Sequence, residues 1–218
     1  MSQAVSGFGM TSQRTRARMI DRLRAEGIRN ERVLAAIAAV PRHVFVEEAL
    51  ASRAYEDSAL PLGFSQTISQ PFIVARMIEI LIAGRELGKT LEVGAGSGYQ
   101  AAVLAQLTKE VYAVERIEPL LARAKLNLRK IQEFRVRLKY ADGHQGLPEA
   151  APFDTIIVAA AAATVPQALL QQLALGGRML LPLGTSEQNL LLFERRAEGL
   201  IETRLDSVRF VPLLSGLE

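Results

Sequence analysis

Leu91-Glu92-Val93-Gly94-Ala95-Gly96-Ser97-Gly98 is the stretch that decides how this chain folds. A short apolar run ends in alternating glycines, and a helix-compatible stretch, Tyr99-Gln100-Ala101-Ala102-Val103-Leu104, follows at once. Glycine reaches positive φ freely and lets the backbone approach a ligand closely, so the stretch reads as a strand handing over to a helix through a contact-making turn. Downstream the alternation repeats. Strands are expected at 90–93, 111–114, 136–140, 153–159 and 178–183, with helices at 99–107, 120–131 and 166–173. Gly176-Gly177 reads as the turn before the fifth of these strands, and 189–195 and 201–209 as a hairpin around Glu198-Gly199. This predicts an α/β fold: a Rossmann-like doubly wound sheet, mostly parallel, with an antiparallel C-terminal element.

Upstream the pattern is helical. Thr11 and Ser12 can cap a helix carrying Met19, Ile20 and Leu23 on one stripe and ending near Gly27. Asn30 can cap a second, with Val33, Leu34, Ile37 and Ala38 inward, stopping before Pro41. No linker-like composition separates this part from the rest. The expectation is one domain over 1–218: a helical accessory layer at 1–60 on an α/β core at 61–218.

The 218 residues are 49% apolar and 22% charged, which excludes wholesale disorder. The absence of Cys excludes a disulfide framework, a thiolate metal site and a Cys nucleophile, and two scattered His give no zinc pattern, so no metal is expected. A net charge of +3 demands no nucleic-acid partner. The opening Met1-Ser-Gln-Ala-Val-Ser-Gly-Phe-Gly has no basic and apolar export pattern, and 156–163, the longest apolar stretch, is far short of the roughly 20 residues of a membrane span. A cytoplasmic protein without nucleic-acid or membrane partners is expected. Its oligomeric state is open and compatible with a monomer.

The glycine turn narrows the ligand. Glu115 closes the next strand at the interval, about 20 residues, at which a carboxylate accepts the ribose hydroxyls of an adenosine-containing ligand. The spacing is G-x-G-x-G, where a dinucleotide site prefers G-x-G-x-x-G, and Glu92 lies two residues before the first glycine. A carboxylate there repels phosphate and suits a ligand bearing an ammonium and a sulfonium, so S-adenosylmethionine fits better than NAD. Asp142 can accept from the adenine amino group or be an ordinary turn residue in Ala141-Asp142-Gly143. Ser69 can serve a reactive centre or cap the helix that begins at Pro71.

Several separated blocks give the chain a resemblance to the protein-L-isoaspartate O-methyltransferase family along nearly its full length. They are Pro41-Arg42 with Phe45-Val46; Leu60-Pro61-Leu62-Gly63 leading into Gln66-Thr67-Ile68-Ser69-Gln70-Pro71; 91–104; Val114-Glu115-Arg116-Ile117-Glu118; Ala151-Pro152-Phe153-Asp154; and Phe210-Val211-Pro212-Leu213. The resemblance implies methyl transfer from S-adenosylmethionine, leaving S-adenosylhomocysteine, to the free carboxylate of L-isoaspartyl residues in damaged proteins and peptides. The ester then returns through a succinimide toward aspartate. It further implies that Glu92, Gly94, Gly96 and Gly98 hold the methionine end of the cofactor, that Glu115 takes the ribose, and that Asp142 with Gly143 takes the adenine. Ser69 falls on the family's active-site serine, and Thr67, Ile68 and Val211 fall on its substrate pocket. Three positions depart from the family pattern. Ser65 and Ala141 stand where glycine is usual, and Ala159 replaces a threonine.

The chemistry asks for little machinery. A carboxylate with an intrinsic pKa near ~4 is already a nucleophile at neutral pH, so no general base is needed. Positioning remains, and one hydroxyl such as that of Ser69 can aim a carboxylate oxygen without quenching it. Isoaspartate differs from aspartate by a displaced methylene, worth only ~1–3 kcal/mol in a pocket, so hydrogen bonds to the substrate backbone around 67–69 and 210–211 are the expected discriminator. The rivals are methylation of a small metabolite or nucleic-acid base, a cofactor-binding module without transfer, and an NAD oxidoreductase. The run Ala159 to Ala163 lacks the Asn/Asp-Pro-Pro-aromatic element of amino-directed base methylation. His43 is expected at a helix start or at the surface, His144 exposed on a loop, and Arg14, Arg16, Arg18, Arg22 and Arg24 on a solvated helix face.

Overall fold

A computed structural model describes Gly7 and residues 9–218. The reading of the first nine residues as free of an export pattern therefore falls, apart from Gly7 and Gly9, outside the described residues. Helix α1 (Gln13–Ala25) starts at Ser12, whose side chain accepts from the Thr15 N–H, and buries Met19, Ile20 and Leu23. Helix α2 (Glu31–Ala39) starts at Asn30, which accepts from the N–H groups of Arg32 and Val33. Its buried stripe is Val33, Leu34, Ala36 and Ile37, with Ala38 half-buried against the same core.

The stretch after α2 departs from expectation. Two 3₁₀ turns, Arg42–Phe45 and Glu48–Arg53, are followed by a hairpin of β1 (Leu60–Gly63) and β2 (Gln66–Ile68). Its strands are too short for alternation to show in sequence, and Phe64 and Ser65, at φ 53° and 54°, make the turn between Gly63 and Gln66 without a glycine. Helix α3 (Pro71–Ile82) follows, with Pro71 in its first turn where a missing N–H is harmless. Glu79 on α3 accepts from the N–H groups of Arg29 and Asn30 at 2.7 and 2.8 Å, tying the α1–α2 connection to the rest.

Next come β3 (Thr90–Val93), α4 (Tyr99–Leu104), β4 (Val111–Glu115), α5 (Glu118–Lys130), β5 (Val136–Tyr140), β6 (Phe153–Val158), α6 (Gln167–Gln171), β7 (Leu173–Gly184), β8 (Gln188–Arg196) and β9 (Gly199–Val208). They build one seven-stranded sheet in the order β5-β4-β3-β6-β7-β8-β9. Pairings from β5 to β7 are parallel, and β8 and β9 add antiparallel to the edge. Gly176-Gly177 is not a turn before the strand. β7 begins at Leu173, opposite Phe153, and carries the glycines within a register shift, Gly176 at φ 76°. A Cβ on Gly177 would lie 2.8 Å from the Ala174 carbonyl oxygen, so the sheet needs glycine there.

The central strand β3 is buried along its whole length, as expected for a strand covered on both faces. One apolar cluster runs from Met19, Leu23 and Ile37 through Met77 and Ile78 to Ile157 and Leu180, joining the helical layer to one face of the sheet. A second, with Leu91, Val114, Ile156, Leu169 and Met179, fills the other face. The order in which successive strands are added reverses at β3, since β4 and β5 lie on one flank and β6 and β7 on the other. The carboxyl ends at that switch point are where such sheets bind ligands.

Candidate active site

The glycine turn sits at the carboxyl end of β3. The N–H groups of Gly94 and Ala95 both donate to the Val114 carbonyl at 3.0 Å, which pulls the turn against β4. Gly94, Gly96 and Gly98 have φ of 88°, 54° and 89°, a conformation side chains strain to adopt. Asn127 on α5, buried, donates to the Ser97 carbonyl at 3.1 Å and holds the loop from the far side.

Two adjoining compartments open over this turn, with Thr67, Gly94, Gly96 and Ala159 in their common wall. The larger spans about 560 Å³, part of it open to solvent, and is lined by Glu115, Ile117 and Gly143 and by Val211, Pro212 and Leu213. The smaller, about 340 Å³, contains Ile68, Ser69, Glu92, Tyr99 and Gln100.

Each compartment has a buried carboxylate. Glu115 accepts from the Gly96 N–H at 2.8 Å through one oxygen and from the Ile117 N–H at 3.0 Å through the other. Each oxygen keeps a lone pair for a hydroxyl donor. Glu92 is only 1% exposed. One of its oxygens accepts from Gln100 Nε2 at 3.0 Å and the other has no partner. Burial, and after it the nearby Glu115 charge, pushes the Glu92 pKa well above the usual carboxylate value against the lowering effect of Gln100. A buried carboxylate oxygen without a donor is a place for a cation.

Ser69 is free for chemistry. The residue just before α3, in the N-cap position, is Gln70, and the helix N-terminus is capped from elsewhere: Asp57 accepts from the Phe72 N–H at 3.0 Å and from the Gln70 side chain at 2.5 Å. The Ser69 hydroxyl makes no hydrogen bond to another described residue and faces the smaller compartment. The capping alternative is thereby set aside by Asp57. Thr67 stands in the wall of both compartments, Ile68 in the smaller and Val211 in the larger.

Asp142 is the residue the structure does not bring to the hollow. Its two oxygens accept from the N–H groups of His144 and Gly216 at 2.8 and 2.7 Å, and it is absent from the lining of either compartment. Burial raises its pKa, but these N–H donors and the His144 ring outweigh that and leave it below the usual value. Gly143 does line the hollow, with backbone so close that a Cβ would lie 2.6 Å from Val93 Cγ1 and 3.2 Å from Leu213 Cδ1.

Residues 14–218 match the model of the family described as protein-L-isoaspartate(D-aspartate) O-methyltransferase. A protein-L-isoaspartate O-methyltransferase of Dechloromonas aromatica is 73% identical over 213 residues, covering 97% of this chain and 99% of that one. The chain belongs to this family. An Aromatoleum aromaticum protein-L-isoaspartate O-methyltransferase is 64% identical over 218 residues, the whole of both chains. Among solved structures, a protein-L-isoaspartate O-methyltransferase superposes with a TM-score of 0.84 at 28% identity, over 93% of this chain and 67% of that one. A Plasmodium falciparum protein of the same description, in complex with S-adenosyl-L-homocysteine, superposes at 0.80 with 24% identity, over 90% of this chain and 97% of that one. The resemblance read from the motif blocks is thus borne out for family and fold.

Within this isoaspartate methyltransferase chain, the lining residues not singled out from sequence include Tyr99, Gln100, Arg116, Ile117 and the wall at 212–214. Gln100 carried a signal: a polar residue on a helix whose every position is buried needs a partner, and Glu92 is it. His43 stands at the start of the 3₁₀ turn Arg42–Phe45, one of its two expected places, and is buried there at 9% exposure, its Nδ1 2.7 Å from the Tyr55 hydroxyl. His144 is half-buried rather than at the surface, its ring 3.5 Å from Asp142. Arg16 and Arg22 also turn inward, donating to the carbonyls of Ala38 and Tyr55 at 3.1 and 2.8 Å, so the α1 arginines are not one solvated face.

Proposed function

We propose that this chain is a protein-repair methyltransferase that moves a methyl group from S-adenosylmethionine to the free carboxylate of L-isoaspartyl residues. The observation that carries the reading is the joined pair of compartments, one holding the partnerless Glu92 oxygen and the other half of the adenosine requirements in Glu115, with a free Ser69 hydroxyl beside them. Glu92 would take the cofactor ammonium, Glu115 the ribose hydroxyls, and the Gly94–Gly96–Gly98 turn the backbone contacts. Gly143 would pack against the adenine. Bound there, S-adenosylmethionine supplies an electrophilic methyl group on a sulfonium.

The chain's own part is to hold and to exclude. Ser69 donates to one oxygen of the substrate carboxylate and leaves the other unhydrated and reactive. Thr67, Ile68 and Val211 hold the substrate backbone extended across the shared wall. No proton has to move, which agrees with a hollow whose lining includes carboxylates and hydroxyls and neither His. Ala159 in that wall removes a hydroxyl and leaves the aiming to Ser69. These residues form one site in a single domain over 1–218, which acts in the cytoplasm on protein and peptide substrates, without nucleic acid or membrane, in a state compatible with a monomer. No helix among the described residues is long and apolar enough to cross a membrane.

Labelled methyl transfer to matched isoaspartyl and aspartyl peptides, recovered as base-labile methanol, tests the reading. Transfer to the isoaspartyl peptide at least 100-fold faster is expected. Equal rates, or no base-labile product, refute it.

A further inference from the structure

The segment after β9 forms a wall of the larger compartment, with Val211, Pro212, Leu213 and Leu214 all lining it. Its first part is stitched to the sheet: Ala161 N–H donates to the Val211 carbonyl at 2.8 Å, and Leu213 N–H to the Ala161 carbonyl at 2.7 Å. The part beyond, 215–218, is exposed and contributes no buried apolar side chain; Leu217 is 55% exposed. It is held by six polar contacts, two from the Arg116 side chain and two more from the backbone of Arg116 and Glu118. Arg116 Nε donates to the Gly216 carbonyl at 2.9 Å, and Arg116 Nη1 to Glu218 Oε2 at 2.8 Å. The Glu218 N–H returns to the Arg116 carbonyl at 2.8 Å, while the Glu218 carbonyl accepts from the Glu118 N–H at 2.8 Å and the Tyr140 hydroxyl at 3.0 Å. Asp142 takes the Gly216 N–H from the other side. Arg116 itself lines the compartment, next in sequence to Glu115.

We propose that Arg116 is a positioning residue for the cofactor: by latching 215–218 it holds the 211–214 wall against the nucleoside. The inference rests on reading the hollow as the cofactor site. The geometry explains why Asp142 turns from the hollow, since it anchors the same strap. A strap without buried apolar side chains opens locally once its polar contacts are lost, independently of the packed sheet beneath. A ligand in contact with the wall then leaves faster, so the latch acts on residence time. The planar guanidinium suits the task because Nε and Nη1 reach two acceptors two residues apart in a fixed fork, which an ammonium reproduces only in part.

Arg116→Ala, Arg116→Lys and Glu218→Gln in the full chain test it. The readouts are S-adenosylhomocysteine affinity and dissociation rate, the split between cofactor KM and kcat, and amide hydrogen exchange over 211–218 in the ligand-free protein. Arg116→Ala is expected to raise the dissociation constant and cofactor KM about tenfold, mainly through faster dissociation, with a much smaller change in kcat at saturating cofactor. Exchange over 211–218 accelerates while the sheet keeps its protection. Arg116→Lys recovers part of the affinity, and Glu218→Gln, which leaves the Gly216 contact, loses less than Arg116→Ala. Unchanged exchange overturns the latch, and faster exchange with unchanged affinity overturns its positioning role. Equal falls in kcat and kcat/KM overturn it too, because they place Arg116 in the transfer step. A native protein that takes up no S-adenosylhomocysteine sinks the cofactor reading and the positioning role with it, while exchange still reports the latch.

Discussion

Replacing Glu92 by Gln exchanges a buried carboxylate for a neutral amide of nearly the same shape, with opposite effects on the empty and the loaded protein. In the ligand-free fold the Glu92 pKa is held well above its ordinary value of 4.5, by burial first and by Glu115 second. The folded chain therefore binds this proton more tightly than the unfolded chain. That contribution to stability is complete below the unfolded pKa and is lost as pH rises through the folded one. Gln carries no such loss, and it can still hydrogen-bond Gln100. Relief of the buried, half-paired charge amounts to about 1–2 kcal/mol. In a domain of this size that raises the melting temperature by roughly 2–8 °C at pH 7–8. Near pH 4 the difference vanishes. Cofactor binding moves the other way, since the ligand ammonium is left buried without its carboxylate, at a cost of about 3 kcal/mol or more. Affinity for S-adenosylhomocysteine should fall on the order of 100-fold. In the native protein, that affinity weakens as pH drops below the folded Glu92 pKa, because binding must then expel the proton. Calorimetric melts between pH 4 and 8, paired with titration of S-adenosylhomocysteine, measure both halves. A variant less stable than the native chain at pH 7.5, or one that binds within threefold of it, would refute the reasoning.

Three further substitutions probe separate parts of the site. Ser69→Ala should lower kcat/KM for an isoaspartyl peptide about 10- to 100-fold, the worth of one hydrogen bond to a charged group, and leave S-adenosylhomocysteine affinity untouched; a loss of cofactor affinity instead would move Ser69 out of the reactive centre. Ser65→Gly removes a side chain from φ 54° in the β1–β2 turn and should gain about 0.5–1 kcal/mol in urea unfolding, where a loss would show that the turn is not strained. Gly143→Ala forces a Cβ within 2.6 Å of Val93 and should destabilise by about 1–3 kcal/mol while weakening nucleoside binding, and a variant with native melting and affinity would contradict the close packing.

The core of the sheet was legible because its physics is local. Strands buried on both faces, such as Thr90–Val93 and Phe153–Val158, are short β-rich runs, and the glycines after Val93 sit where positive φ is needed. Ser12 and Asn30 cap the helices they were expected to cap. The β1–β2 hairpin was not legible: its strands are three and four residues long, and its turn holds Phe64 and Ser65 in a conformation that neither residue advertises. Gly176-Gly177 was misplaced for a related reason. A glycine pair signals a turn and a bulge alike, and only the pairing of Leu173 with Phe153 separates them.

The sequence by itself determined the fold class, the glycine turn, the acids Glu92 and Glu115 and the family resemblance, since each rests on residue type and spacing along a few turns of chain. Tertiary structure decided which polar groups are left over. Asp57, distant in sequence, caps helix α3 and frees Ser69, while Gly216, more distant still, occupies Asp142 and takes it from the hollow. Hydrogen-bond partners separated by whole strands and helices are settled by packing, and the groups that packing leaves unpaired are the ones a ligand can meet.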